Sequence, residues 1–288
     1  MQAVGSSVGR FRIDKLLFQN ASTSLYRAAD EANNTVVALK LVNAEQAGDQ
    51  NAQERLLAEG SVASLLHHPN IVPLLEVGET GGQAYISMEL VTQPTLAQYL
   101  SEEGSLPVAQ ALAITRDIAA ALQYAHDLGL VHRDIKPGNI FTGDAGTPAR
   151  LGDFGIALPP HSDGVGKASV ARDAYATPRY MSPEQAMGRS VDARSDQYSL
   201  GAVLFEMLTG QVPHDGSSLN TLTAQIANES SPKLRSVTPQ LPRWLEQLVQ
   251  KLMQKKPQKR FADCKELITA LDEAEAGSID DSAQAPAN

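Results

Sequence analysis

Eight consecutive residues, His132-Arg133-Asp134-Ile135-Lys136-Pro137-Gly138-Asn139, and the triplet Asp153-Phe154-Gly155 a short distance on constrain this chain more than any other feature. Together they offer a carboxylate base, a cation and two hard oxygen ligands. Phosphoryl transfer needs such a set, because its chemistry is mainly positioning and stabilisation of negative charge. Asp134 would accept a hydroxyl proton and Lys136 would steady the moving phosphoryl group. Asn139 and Asp153 supply oxygen donors that suit magnesium. Any one of these residues alone reads as a turn former. Eight in register with the triplet do not.

The order of these residues resembles the catalytic loop and metal-binding turn of eukaryotic-like (Hanks-type) serine/threonine protein kinases, and the wording IKPGNI and SPEQ resembles bacterial members. The resemblance implies an α+β, bilobal protein kinase-like fold with a small β-rich N-lobe and a larger α-helical C-lobe. It implies a kinase domain over 11–271 (N-lobe 11–91, C-lobe 92–271) after an N-terminal extension over 1–10; the composition of 272–288, acidic and rich in Ala and Ser, reads as a disordered tail. Val37-Ala38-Leu39-Lys40 is similar to the strand whose lysine holds nucleotide phosphates, and Glu59 is its expected partner on the following helix. A buried ammonium needs such a carboxylate. Read alone, Glu59 would be a solvated helix residue. Glu89 to Val91 would form the hinge to adenine, with Met88 as gatekeeper and with Leu17, Leu25, Ala38 and Phe141 about the ring. The implied cofactors are ATP and Mg2+, and the implied partners are protein substrates with Ser or Thr acceptors.

Two departures stand out. Phe141 occupies a position where the family usually carries a smaller aliphatic, and it either stacks on adenine or crowds it. Phe18, Asn20 and Thr23 replace the glycines of GxGxxG, which let backbone approach phosphate. Asn20 tolerates positive φ, and Ser22, Thr23 and Ser24 bring hydroxyls. The resemblance therefore implies an active Ser/Thr kinase that transfers the γ-phosphoryl of ATP. The alternative is a pseudokinase that senses nucleotide or scaffolds. Ala176-Thr177 and Ser182-Pro183-Glu184 are similar to the end of an activation segment, with Glu184 pairing to Arg260 and Asp196 anchoring the catalytic loop. Ser169, Tyr175 and Thr177 are candidate autophosphorylation sites that Arg133 would read. A small-molecule phosphotransferase would lack that segment.

Composition narrows the partners. A net charge of −9 argues against nucleic-acid binding, which needs a basic face, and 42% hydrophobic residues suffice for a sizeable core. No apolar run approaches the roughly eighteen residues of a membrane span, and the first residues lack the apolar core of a signal peptide. A cytoplasmic location is expected. A homodimer through the small lobe is compatible with the sequence but not indicated by it. Cys264, the single cysteine, is expected to pack. Val36 to Val42 and Ala84 to Leu90 read as strands. Helices are expected over Gln53 to Leu66, ended by Pro69; from Ser105 as N-cap to Gly129; over Asp196 to Thr209; and over Arg243 to Gln254. Gly60 within the first of these either loosens it or permits close packing.

Overall fold

The β-branched runs of the first ninety residues pair as an antiparallel sheet. The computed structural model describes residues 2, 4–143, 146–154 and 178–283. Strands β1 (Ser7–Val8), β2 (Phe11–Gln19), β3 (Thr23–Asp30), β4 (Thr35–Val42), β5 (Leu74–Thr80) and β6 (Gln83–Glu89) lie in the order β1-β2-β3-β4-β6-β5. Alternation sends Phe11, Ile13, Tyr26, Ala28, Leu39 and Leu41 into one apolar layer. On the sheet's other side Val42, Ala84 and Ile86 meet Ala52 and Leu56 of helix α1 (Gln50–Ala63). Ser7 and Val8 pair with Arg12 and Phe11, so part of the expected N-terminal extension belongs to the sheet.

Helix α1 begins three residues earlier than the sequence predicts, because the Asp49 side chain accepts from Asn51 N–H and caps it. It also stops at Ala63, well before Pro69. Ser64, Leu65 and Leu66 close tight turns back onto Gly60, Val62 and Ala63, so those turns end the helix. Gly60 is buried, and a Cβ there would lie 2.6 Å and 2.8 Å from the Val77 methyls and 3.0 Å from Ile86 Cγ1. Close packing is the reason for the glycine: it lets α1 lie against β5 and β6.

The second lobe is helical. Helices α2 (Leu96–Glu103), α3 (Val108–Asp127), α4 (Pro183–Ala186), α5 (Ala193–Thr209), α6 (Leu219–Asn228), α7 (Leu234–Val237), α8 (Arg243–Leu252) and α9 (Cys264–Ala283) surround one core, with the short hairpin β7 (Ile140–Phe141) and β8 (Arg150–Leu151) beside it. Ser105 is not the cap of α3. Leu106 is buried and its N–H donates to Met207 O at 2.7 Å, which holds the chain extended until Pro107 opens the helix. Helix α5 is buried almost all round, as the centre of a lobe must be. Its start at Ala193 follows the Asp192 cap on Arg194 N–H.

The chain from Asp272 differs from the expected disordered tail, since α9 continues to Ala283. The Arg116 guanidinium on α3 pairs with Asp272 at 2.9 Å and also with Glu275. A counter-charge from another helix thus offsets the acidic run. Cys264 is fully buried at the start of α9, with its thiol pKa pushed up by burial.

Candidate active site

Side chains from both lobes, Glu59 and Asp153, meet at Lys40. Leu25 on β3, Ala38 and Lys40 on β4 and Met88 on β6 share one face of the sheet, because Leu25 stands opposite Lys40 and Met88 opposite Ala38 in register. The Lys40 Nζ donates to Glu59 Oε1 at 2.6 Å and to Asp153 Oδ1 at 2.8 Å. Glu59 is therefore turned inward, only 16% exposed. Burial disfavours the Lys40 charge, but the Asp153 and Glu59 carboxylates outweigh it and raise the pKa, so the ammonium persists. Lys40 in turn holds the Asp153 carboxyl down to about 2 against the opposing effect of burial. For Glu59, burial prevails over the attraction of Lys40 and raises the pKa.

The catalytic loop is built beneath this triad. Lys136 Nζ lies 2.6 Å from Asp134 Oδ2. Asn139 Nδ2 donates to the Asp134 carbonyl at 2.8 Å and to its Oδ2 at 3.1 Å. With its amide nitrogen so used, Asn139 keeps Oδ1 as a donor atom for a cation. The Gly152 N–H donates to the Asn139 carbonyl at 2.8 Å, which ties the segment carrying Asp153 to the one carrying Asn139. An ionised carboxylate and an amide oxygen are hard ligands, and they fit a magnesium ion. Asp153 has φ 58° and Arg133 φ 69°, so two side-chain-bearing residues occupy left-handed conformations here.

What holds that strain is Asp196 on α5. It is fully buried and accepts from His132 N–H at 2.9 Å, Arg133 N–H at 2.8 Å and the His126 ring at 2.8 Å. Burial alone would raise its pKa; the His126 hydrogen bond, the neighbouring imidazoles and the Arg133 amide pull it below the ordinary value. The His132 ring packs edge-on against Phe154, with centroids 4.6 Å apart. Phe154 is buried in the core of the helical lobe, which fixes Asp153 toward Lys40.

The remaining residues expected to contact adenine lie on or just after strands of both lobes. Glu89 ends β6 and pairs with Arg150 at 2.7 Å, while Val91 follows where the strand stops. Leu17 and Phe18 are exposed on β2. Phe141 sits on β7, and a Cβ on Gly152 would come within 3.0 Å of its ring. A glycine at 152 thus makes room for the bulky residue at 141. Asn20 does not use positive φ; its side chain closes the β2–β3 turn instead.

The segment's far end is braced by Glu184 and Arg260, both buried, at 2.6 Å and 2.9 Å. Burial raises the Glu184 pKa, but Arg260 reverses this and leaves it below the usual range. Gln185 completes a capping box with Ser182 and donates to the Arg133 carbonyl at 2.8 Å, joining this end to the catalytic loop. Gln185 and His126 belong to this framework although no catalytic motif singles them out. The S-x-x-Q spacing was a signal for the first, and none existed for the second. Ser169, Tyr175, Ala176 and Thr177 lie outside the described residues, as does Gly155.

Comparison with known proteins agrees with this geometry. Residues 12–270 match the protein kinase domain family. The chain is 34% identical over 272 residues to the probable serine/threonine-protein kinase PknB of Lactococcus lactis subsp. lactis, covering 94% of this chain and 42% of the relative. It is 36% identical over 272 residues to serine/threonine-protein kinase PknD of Mycobacterium tuberculosis, covering 94% of this chain and 40% of that protein. The chain therefore spans less than half the length of these relatives. The crystal structure of the M. tuberculosis PknI kinase domain superposes with a TM-score of 0.74 at 29% identity, covering 96% of this chain and 100% of that one. With a family match over most of its length and the motif residues assembled in one cleft, the chain belongs to the protein kinase domain family.

Proposed function

We propose that the chain is a serine/threonine protein kinase that transfers the γ-phosphoryl group of ATP to Ser or Thr hydroxyls of proteins. The observation that carries this reading is the pair of short contacts from Lys40 to Glu59 and Asp153, set above the Asp134–Lys136 pair. Leu17, Leu25, Ala38, Met88, Phe141 and the hinge residues Glu89 and Val91 would hold adenine and ribose. Lys40, fixed by Glu59, would hold phosphate oxygens as a point charge. Asp134 would orient the acceptor hydroxyl and take its proton as the oxygen bonds to the γ-phosphorus and the bond to the β-phosphate oxygen breaks, leaving ADP. Lys136 would offset charge on the transferred group. Asp153 and Asn139 would hold Mg2+, which when bound neutralises charge on phosphate oxygens. Mutual reach of all these groups favours catalysis over the pseudokinase alternative.

Ser and Thr specificity draws on Lys136 two positions after Asp134 and on the names of the relatives. Autophosphorylation at Ser169, Tyr175 or Thr177 is part of the proposal, with Arg133 as the reader. A cytoplasmic reaction accords with ATP as co-substrate; no helix among the described residues is long and apolar enough to cross a membrane. The test is transfer from labelled ATP to a generic protein and to the chain itself, in wild type and Asp134→Asn. A loss of about 10²-fold or more in the variant is expected. Equal signal in both would mean that Asp134 is not the base.

A further inference from the structure

The β2–β3 hairpin, whose register sets Leu25 opposite Lys40 and Thr23 opposite Val42, is closed just beyond Lys40 by one of its own side chains, Asn20. No glycine occurs between Gly9 and Gly48. At the turn joining β2 and β3, Asn20 Oδ1 accepts from the backbone N–H of Ser22 at 2.8 Å and of Thr23 at 2.7 Å, and Thr23 Oγ1 lies 3.3 Å from it. The turn is also held from behind. Asn43 Nδ2 donates to the Asn20 carbonyl at 2.8 Å, Asn43 N–H donates to Ser22 O at 2.9 Å, and Ser24 Oγ donates to Asn43 Oδ1 at 2.6 Å. The Asn20 N–H meets Thr23 O at 3.0 Å.

Successive backbone N–H groups in a turn are natural donors to an anion. Here two of them are engaged by a neutral carboxamide oxygen. We propose that Asn20 is a latch on this hairpin: its Oδ1 occupies the donors that a nucleotide phosphate would use, and ATP gains Ser22 and Thr23 N–H only when the Asn20 side chain swings out. The inference rests on the kinase reading above and concerns the same cleft. Asn20 is a positioning residue and touches no reacting atom. Its removal should not unmake the hairpin, because the Asn43 bonds to Asn20 O and Ser22 O and the Asn20–Thr23 closure use backbone atoms that a glycine at 20 retains, and the Ser24–Asn43 bond does not involve residue 20.

The latch makes a prediction opposite to that of a purely structural cap. Titrate the whole chain with MgATP and, separately, with adenosine, which lacks phosphates, and measure KM for ATP and kcat. Asn20→Gly should tighten MgATP by about tenfold, since two amides gain a charged acceptor at some cost in loop entropy. Adenosine affinity should stay constant, and the gain should appear in KM with kcat little altered. Asn20→Asp keeps the acceptor and should show no gain. Asn43→Ala loosens the hairpin without freeing the amides and should not tighten ATP. Thermal midpoints of all variants establish that each is folded. Weaker or unchanged MgATP binding in Asn20→Gly, or an equal gain in Asn43→Ala, overturns the latch while leaving kinase activity intact. A wild-type chain that binds neither ligand and transfers nothing overturns the kinase reading and the latch with it.

Discussion

Gly60→Ala places a methyl where none fits. The nearest Val77 methyl would be 2.6 Å away, against a favourable carbon–carbon separation of about 3.6 Å, so α1 must move off the sheet by about 1 Å. Overpacking of this kind costs about 1–3 kcal/mol, while replacing a helical glycine returns about 1 kcal/mol. Net destabilisation should be about 1 kcal/mol, modest for a domain of this size. Activity should suffer far more. Glu59 is the next residue, and its 2.6 Å contact with Lys40 cannot survive a 1 Å shift without rearrangement. A displacement of that size in a positioning group can cost about 10²-fold in rate. We therefore expect kcat/KM for ATP-dependent phosphorylation to fall by roughly 10–100-fold while the urea midpoint changes little. The double variant Gly60→Ala/Val77→Ala restores the space and should recover most of the activity, which a double-mutant cycle resolves as coupling. Unchanged activity in Gly60→Ala, or a loss that Val77→Ala leaves untouched, would refute the packing argument.

Other consequences can be checked directly. Arg260→Met strands the buried Glu184 carboxylate and should destabilise the chain by about 3–5 kcal/mol in urea unfolding, whereas breaking an exposed, solvent-screened pair such as Lys265–Asp127 should leave the urea midpoint essentially unchanged. Asp196→Ala leaves the His132 and Arg133 amides without their acceptor and should cost several kcal/mol of stability, about 3, as well as activity. The His214 imidazole is pushed down to about 4 by burial, with the Lys255 ammonium beside it adding to the effect. Its folded pKa lies below the ordinary 6.5, so the fold favours the neutral ring; that contribution is complete above about pH 6.5 and is lost as pH falls toward 4. Unfolding free energy should drop over this window by on the order of 2 kcal/mol more in wild type than in His214→Gln.

Local patterns carried the parts of the fold that rest on local physics. The β-branched run at Val36–Val42 became β4, with Lys40 on the face toward the cleft, and the catalytic string delivered Asp134, Lys136 and Asn139 to one place. The inward turn of Glu59 followed from the need of a buried lysine for a partner. Helix ends were less legible. Asp49 caps its helix through a purely local bond to Asn51 N–H that competes with other nearby polar residues, whereas Pro107 opens its helix because Leu106 is tied to Met207, a contact that no window of sequence contains. The acidic run after Asp272 reads as disordered until Arg116, 156 residues earlier, is brought against it. Gly60 was ambiguous for the same reason, because Val77 and Ile86 decide its role from another element. At Asn20 the tolerance of positive φ is not what the turn uses; the side-chain oxygen is.

The buried carboxylate of Asp196 also sets an order for folding. The loop it holds contains a left-handed Arg133, and its two amide bonds span 64 and 63 residues of chain. Such long closures are entropically costly and are made late. All six strands of the large sheet lie within residues 7–89, whereas the loop around Asp134 takes its acceptor from α5, far along the chain. A nascent chain ending before residue 196 would therefore carry every catalytic side chain and yet lack the carboxylate that holds their loop in shape, so competence should arrive only when helix α5 closes the lobe.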